Sequence, residues 1–291
     1  MLLALAAIWG SSFMFIKVAV EELAPGEVVF GRVLVGTLAL LPAVPFLIGW
    51  RPLFAELRAR LGPLVVIALF NASIPFWLLA WSEKRLDSGL AAVLQASTPL
   101  FTALLAFGFS RSDRVTGARL LGVVVGFLGV VLLVGAQPSG DVLSALAVLL
   151  TAFCYAASAL YAGTRMADAP PIVTALGTLA IATLTTLPFG IAQAPGDAPG
   201  WKAIGSVIAL GSLGLSVAYL LYFGLIAGAG AQYAVLVTYL VPALALGYGA
   251  VFLDEPITLS AVGGLLLILA GVALGTGTWR PRRQAVVCET P

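Results

Sequence analysis

Ser88-Gly-Leu-Ala-Ala-Val-Leu-Gln95-Ala-Ser-Thr-Pro99-Leu-Phe101 is an uncharged, mostly apolar run broken near its end by a proline, and it can be laid over Ala231-Gln-Tyr-Ala-Val-Leu-Val-Thr238-Tyr-Leu-Val-Pro242-Ala-Leu244. Each copy is followed by a short acidic connection and another apolar helix. With a one-residue gap, Asp113, Thr116, Gly122 and Gly129 fall on Glu255, Thr258, Gly264 and Gly271. The copies lie five helices apart, and five is odd, so the second copy enters a bilayer upside down. The charges agree with that inversion. Arg111 and Arg114 follow the first copy, whereas Asp254-Glu255 after the second has no basic residue beside it.

Outward from this pair the whole chain reads as membrane-spanning. Its 291 residues are 61% hydrophobic and 10% charged, with no histidine, against roughly 45–50% apolar and about 25% charged in ordinary soluble domains. About 20 apolar residues suffice for a helix to cross the hydrocarbon core. Spans are expected near 2–20, 27–49, 62–81, 87–109, 116–135, 142–163, 171–192, 202–224, 230–253 and 258–279, joined by short connections with no soluble domain. The expected architecture is all-α and integral to the membrane: ten transmembrane helices as two inverted five-helix repeats, 1–135 and 142–279, then a short basic tail, 280–291. Met1 leads directly into apolar sequence without the basic region of a signal peptide, so the first segment reads as a span. Cys154 lies inside an apolar segment and Cys288 in the tail, which leaves no disulfide to expect.

A cytoplasmic N-terminus places Arg51, Arg58, Arg60, Arg111, Arg114, Arg119, Arg165, Arg280, Arg282 and Arg283 in inside loops and tail, and only Lys84, Arg85 and Lys202 outside. That bias fits the positive-inside rule and makes both termini cytoplasmic. The net charge of +2 gives no reason to expect nucleic acid as a partner.

Lys17 and Arg32 are the two cations clearly within apolar sequence. A cation at a helix centre costs roughly 2.5–3.5 kcal/mol on insertion scales, so it snorkels, pairs or faces water. Lys17 stands one turn from Glu21 and Arg32 about one turn beyond Glu27, so both could be interfacial anchors paired with those glutamates. The functional alternative is an outward-facing positive vestibule that draws in a carboxylate or other anionic group. Every Asp and Glu lies in or beside a loop, which offers no buried acid as a proton carrier.

Prolines supply a second signal, because each frees the carbonyl four residues earlier. For Pro75, Pro99 and Pro242 those carbonyls belong to Asn71, Gln95 and Thr238, so polar side chains coincide with freed acceptors on helices three, four and nine. Pro42, Pro45 and Pro188 lack such partners and read as ordinary kinks. Thr151, Tyr155 and Ser158 share one face of helix six, and Tyr219 and Tyr222 stand three apart on helix eight. Trp9, Trp77 and Trp81 add amphipathic rings. Aromatic rings with a few hydroxyls suit a pocket for a partly apolar solute, and the same residues could serve helix packing and interfacial belts. Gly122, Gly126, Gly129, Gly264 and Gly271 permit close helix approach, within the chain or in a homodimer.

Trp9-Gly10-Ser11-Ser12-Phe13 and Lys17 in the first helix, then Pro25 and Arg32, then the two proline-centred helices ending near Asp113 and Asp254-Glu255-Pro256, resemble the EamA-like family of the drug/metabolite transporter superfamily. The resemblance spans nearly the whole chain as two successive domains. It implies a ten-helix inner-membrane carrier that commonly exports or exchanges metabolites, amino acids among them. Ser112-Asp113-Arg114 departs from the acidic Glu-Arg pair usual in the family's first half.

The expected function is therefore a secondary transporter working by alternating access, with a small-molecule substrate and the lipid bilayer as partners. Trp9, Ser12, Lys17, Arg32, Asn71, Trp77, Gln95, Tyr155, Ser158, Tyr219, Tyr222 and Thr238 are the candidate substrate residues. No cofactor or metal is expected. There is no Gly-x-x-x-x-Gly-Lys-Ser/Thr loop, so ATP does not drive transport within this chain. A channel or small-molecule sensor is the alternative. An intramembrane enzyme would need a catalytic constellation that these residues do not supply.

Overall fold

Helices account for all the regular structure among the described residues, as lipid demands: with no water in hydrocarbon, each helix must satisfy its own backbone. The computed structural model describes residues 1–109, 118–135, 141–194, 196, 198–229 and 236–276. Arg111, Asp113, Arg114, Thr116, the first five residues of the second proline-centred run, Cys288 and the basic tail lie outside the described residues.

Seven helices are long and apolar enough to cross a membrane: α1 (Leu2–Glu22), α2 (Pro25–Leu47), α3 (Leu61–Glu83), α4 (Ser88–Ala106), α6 (Val142–Arg165), α7 (Pro171–Ala192) and α8 (Trp201–Ile226). Three shorter apolar helices are α5 (Leu120–Gly135), α9 (Val237–Phe252) and α10 (Leu259–Leu274). The expected connection between the second and third spans contains a further helix, Trp50–Ala59. Gly49 starts it with φ +82°, a turn that glycine takes without steric cost. Leu53 is buried beneath that helix while Trp50 and Phe54 are exposed, the pattern of an interfacial amphipathic helix.

Four long helices depart from regular α geometry. α2 tightens to a 3-10 turn at Leu41–Ala43, around Pro42. α3 widens to a π segment at Leu69–Ser73, just before Pro75. α4 is broken between Gln95 and Thr98, just before Pro99. α8 carries a second π segment, Ser212–Val217, with no proline to cause it.

The helices pack as α1 on α8 and α9, α6 on α3 and α4, α2 on α7 and α8, α3 on α7, α4 on α9, and α5 on α10. Glycines set the α5–α10 distance. A Cβ on Gly271 would stand 2.5 Å from backbone atoms of Gly122 and Gly126, and one on Gly129 2.9 Å from the Gly264 carbonyl oxygen.

Cross-connections gather alternate loops at opposite ends. At one end, hereafter the Glu83 face, Gly26 N–H donates to Gln193 Oε1 at 2.9 Å and Gly200 N–H donates to the Glu22 carboxylate. At the other, the Arg60 face, the Arg60 guanidinium holds Asp168 in a two-pronged pair at 2.9 and 3.0 Å and Glu56 at 2.7 Å.

Candidate functional site

A cavity of about 420 Å³ lies among α1, α2, α3, α4, α6, α8 and α9, within the roughly 300–1,000 Å³ usual for small-ligand sites. Each irregularity of the long helices except the Pro42 turn meets this space. Asn71 in the α3 π segment, Gln95 and Pro99 at the α4 break, and Gly214 and Leu215 in the α8 π segment all line it. Interrupted helices at membrane depth belong where protein groups or a watery cavity take up the freed polar atoms.

Local hydroxyls do much of that work. Thr98 Oγ1 donates to Gln95 O at 2.8 Å and Ser97 Oγ to Leu94 O at 2.7 Å, sealing the α4 break. Thr151 Oγ1 reaches Pro75 O at 3.3 Å, and Ser73 and Thr185 hydroxyls meet at 2.8 Å. In α8, Ser216 Oγ donates to Gly36 O at 2.7 Å and Trp9 Nε1 to Gly214 O at 3.2 Å.

Arg32 is the charged side chain of the cavity wall. The residue is 5% exposed, its guanidinium carbon sits 3.9 Å from the centroid of the Phe76 ring, and Nε has no hydrogen-bond partner. It forms no ion pair among the described residues; the carboxylate of Glu27 instead accepts from Ala24 N–H. Tyr155, Tyr219 and, beyond ion-pair distance, Glu83 are its polar neighbours, and Asn71 lies within hydrogen-bonding reach of the Tyr219 hydroxyl. Gln95 Oε1 is also buried without a partner. The Trp9 and Tyr222 rings lie 5.6 Å apart on the cavity's aromatic side.

Trp9, Ser12, Arg32, Asn71 and Gln95 thus come together, and so do Tyr155, Tyr219, Tyr222 and Thr238. Lys17, Trp77 and Ser158 do not join them. Lys17 Nζ donates to Glu83 O and Leu86 O, each at 2.8 Å, neutralising the carbonyl end of α3. Trp77 packs in the core with Nε1 unpartnered, and Ser158 is buried away from the cavity. Apolar wall residues Ile16, Phe76 and Leu79 carry no signal in the sequence, because spans that are apolar all round do not declare a face.

The packing around the cavity is one-sided. α1 meets α3 and α4, and α2 meets α3, near the Glu83 face; among the described residues α6 is not comparably packed on α8 or α9, nor α7 on α8. The Glu83 face is further tied by Glu255, whose carboxylate accepts from Ser88 N–H at 2.7 Å, Ser88 Oγ at 2.8 Å and Gly89 N–H at 3.1 Å. Asp254 adopts φ +55°, which Asp tolerates better than most residues, and directs Glu255 back to the start of α4.

The model of the EamA-like transporter family matches residues 1–135 and again 142–276. An "uncharacterized transporter" of Archaeoglobus fulgidus is 26% identical, covering 91% of this chain and 93% of its own. A "probable amino-acid metabolite efflux pump" of Salmonella typhimurium is 28% identical over 98% of this chain and 96% of its own. A protein of known crystal structure, 20% identical, superposes with a TM-score of 0.66 over 95% of each chain and shares the fold. Two matches to one family model cover nearly all of the sequence, and the chain belongs to the EamA-like transporter family, whose members are membrane transporters.

Proposed function

We propose that this transporter exports or exchanges small zwitterionic metabolites, amino acids foremost, by alternating access. The observation that carries the reading is Arg32: a buried guanidinium in the cavity wall with no carboxylate paired to it. A buried cation without a counter-ion is costly, and a substrate carboxylate would supply one. Gln95 Oε1, unpartnered in the same wall, is an acceptor suited to an ammonium group. The aromatic side formed by Trp9, Tyr219 and Tyr222 suits a partly apolar side chain. The efflux pump of Salmonella typhimurium, by its name, points to the same chemistry.

The architecture we propose is ten spans in two inverted repeats, 1–135 and 142–279, in the inner membrane with both termini cytoplasmic. Three features support it. Adding five to the helix numbers turns α1–α9 into α6–α4, α1–α8 into α6–α3 and α2–α8 into α7–α3, all of which pack. The two π segments fall in α3 and α8, a pair related by the same shift. Among the described residues Arg51, Arg58, Arg60 and Arg165 belong to the connections of the Arg60 face, which the positive-inside rule applied to the whole sequence makes cytoplasmic. The cavity is then closed to the outside, the alternate state opening at the Glu83 face, as expected for sites between inverted repeats.

Calorimetric titration of the purified protein with a panel of amino acids, each beside its decarboxylated amine, tests the substrate class. The reading expects binding of the amino acid and its loss in the amine. An amine bound as tightly as its parent acid would contradict the role given to Arg32. Binding without solute movement would favour a sensor.

A further inference from the structure

Glu83 ends α3, and by sequence it belongs beside a loop. In the fold it is 0% exposed, and neither oxygen of its carboxyl group has a hydrogen-bond partner. The expectation that no buried acid exists is therefore corrected: Leu86 and Ser88, just beyond the helix end, are buried as well, so the connection there is not open to water. An ionised carboxylate stripped of water and left without donors is among the most expensive arrangements in a protein interior.

No neighbour donates a hydrogen bond that would offset that cost. The charged groups facing Glu83 are Lys17 from α1, Arg32 from α2 and Glu255 from the connection after α9. Lys17 Nζ is engaged by the carbonyls of Glu83 and Leu86 rather than by the carboxyl group. Arg32 lies over Phe76, and Glu255 spends its oxygens on Ser88 and Gly89. Asp87 stands at the start of α4, exposed, and Arg85 on the same connection pairs with Asp141 at 3.6 Å. α6 has no acidic or basic residue before Arg165 at its far end, and α7 has none at all. Neither cation donates a hydrogen bond to the Glu83 carboxyl oxygens, and Glu255 adds a like charge, so a neutral carboxyl is the form that fits.

We propose that Glu83 is a proton-binding site that makes opening of the Glu83 face depend on pH. The acid is protonated while that face is closed. Opening draws α1 away from α3 and α4, frees Lys17 from the two carbonyls and admits water. The Glu83 O–H bond then breaks, the proton passes to water on that face, and the carboxylate formed pairs with the Lys17 ammonium. Closing takes one proton back from the same side. The proposal rests on the transporter reading only in that the closure it governs is the cavity's own.

The test needs no solute. Spin labels on Glu21→Cys and Lys84→Cys, in a background with both native cysteines replaced, report the separation of α1 from the end of α3 by pulsed electron resonance in nanodiscs. The open-to-closed ratio is expected to rise with pH by at most about tenfold per unit, the limit for one proton. Glu83→Gln is expected to hold the short distance at every pH, because its amide stays neutral. A distribution in the unsubstituted protein that ignores pH, or a Glu83→Gln variant that follows pH as before, overturns the proposal. Infrared spectroscopy of protein carrying 13C-glutamate guards against a variant that does not fold. A slowly exchanging protonated glutamic carboxyl band near neutral pH is expected, and its absence is equally fatal.

Discussion

Glu255→Ala tests whether the Glu83 face is held shut by the bonds that the structure displays there. The side chain accepts three hydrogen bonds, from Ser88 N–H, Ser88 Oγ and Gly89 N–H, at 2.7, 2.8 and 3.1 Å. A bond to a charged acceptor contributes about 1.5–3 kcal/mol net. Glu255 is only partly buried and one carboxylate serves all three donors, so their joint contribution to closure is about 2–4 kcal/mol. With tenfold per 1.36 kcal/mol, truncation should raise the open-to-closed ratio about 30- to 900-fold. Ser88→Ala removes one of the three bonds and sets an internal scale: about 1 kcal/mol, or roughly fivefold. Pulsed electron resonance between labels at positions 21 and 84 reads both variants. Distance distributions unchanged in both, from protein that purifies as a normal monodisperse species, would refute the idea that this carboxylate is a latch.

Three further outcomes follow from other parts of the molecule. Arg32→Gln should weaken binding of a carboxylate-bearing substrate by at least about 30-fold, since losing one partner of a buried charge pair costs about 2–5 kcal/mol, and should leave the decarboxylated amine little affected; titration calorimetry compares the two. Gly271→Ala places a methyl 2.5 Å from backbone atoms of Gly122 and Gly126, neither of which can rotate away. It should destabilise by about 1–3 kcal/mol and lower the melting temperature, whereas alanine at Gly163, where a Cβ meets nothing within 4 Å, should not. The Asp168 carboxyl is held below its usual range, first by its side-chain hydrogen bond to the Arg60 guanidinium. A depressed folded pKa means stability that is complete above the unfolded value of about 3.9 and lost as pH falls further. The melting temperatures of the unsubstituted protein and Asp168→Asn should therefore differ at pH 7 and converge well below pH 4.

Much of the cavity wall is legible in the sequence, for identifiable reasons. Arg32 stood out because a cation in apolar sequence is expensive, and Asn71, Gln95 and Thr238 because proline frees the carbonyl four residues back. Those rules act locally, so they survive without tertiary information. Lys17 obeyed the same cost rule but found two helix-end carbonyls instead of the cavity, a choice fixed by where α3 ends against α1. Trp77 and Ser158 sit on helices of the right composition but turn elsewhere, because the orientation of a uniformly apolar helix is decided by its neighbours. The π segment at Ser212–Val217 has no proline, and its position next to the cavity emerges only from packing against α1 and α2. Glu83 was misread for the opposite reason. Its place at a helix end implies water, whereas the fold buries Glu83 together with Leu86 and Ser88 after it. The helix at Trp50–Ala59 was hidden by Pro52 and its charged residues, which make a surface helix look like a loop.

The central claim, that this transporter moves amino-acid-like solutes through a cavity reached from one side at a time, is tested most directly by counterflow. Purified protein in liposomes would be loaded with an excess of unlabelled amino acid, and entry of trace labelled solute followed with time. The account predicts saturable entry accelerated by internal solute, transiently exceeding equilibrium, and abolished for carboxylate-bearing solutes by Arg32→Gln. Entry that rises linearly with concentration and ignores the internal solute would contradict it and indicate a channel.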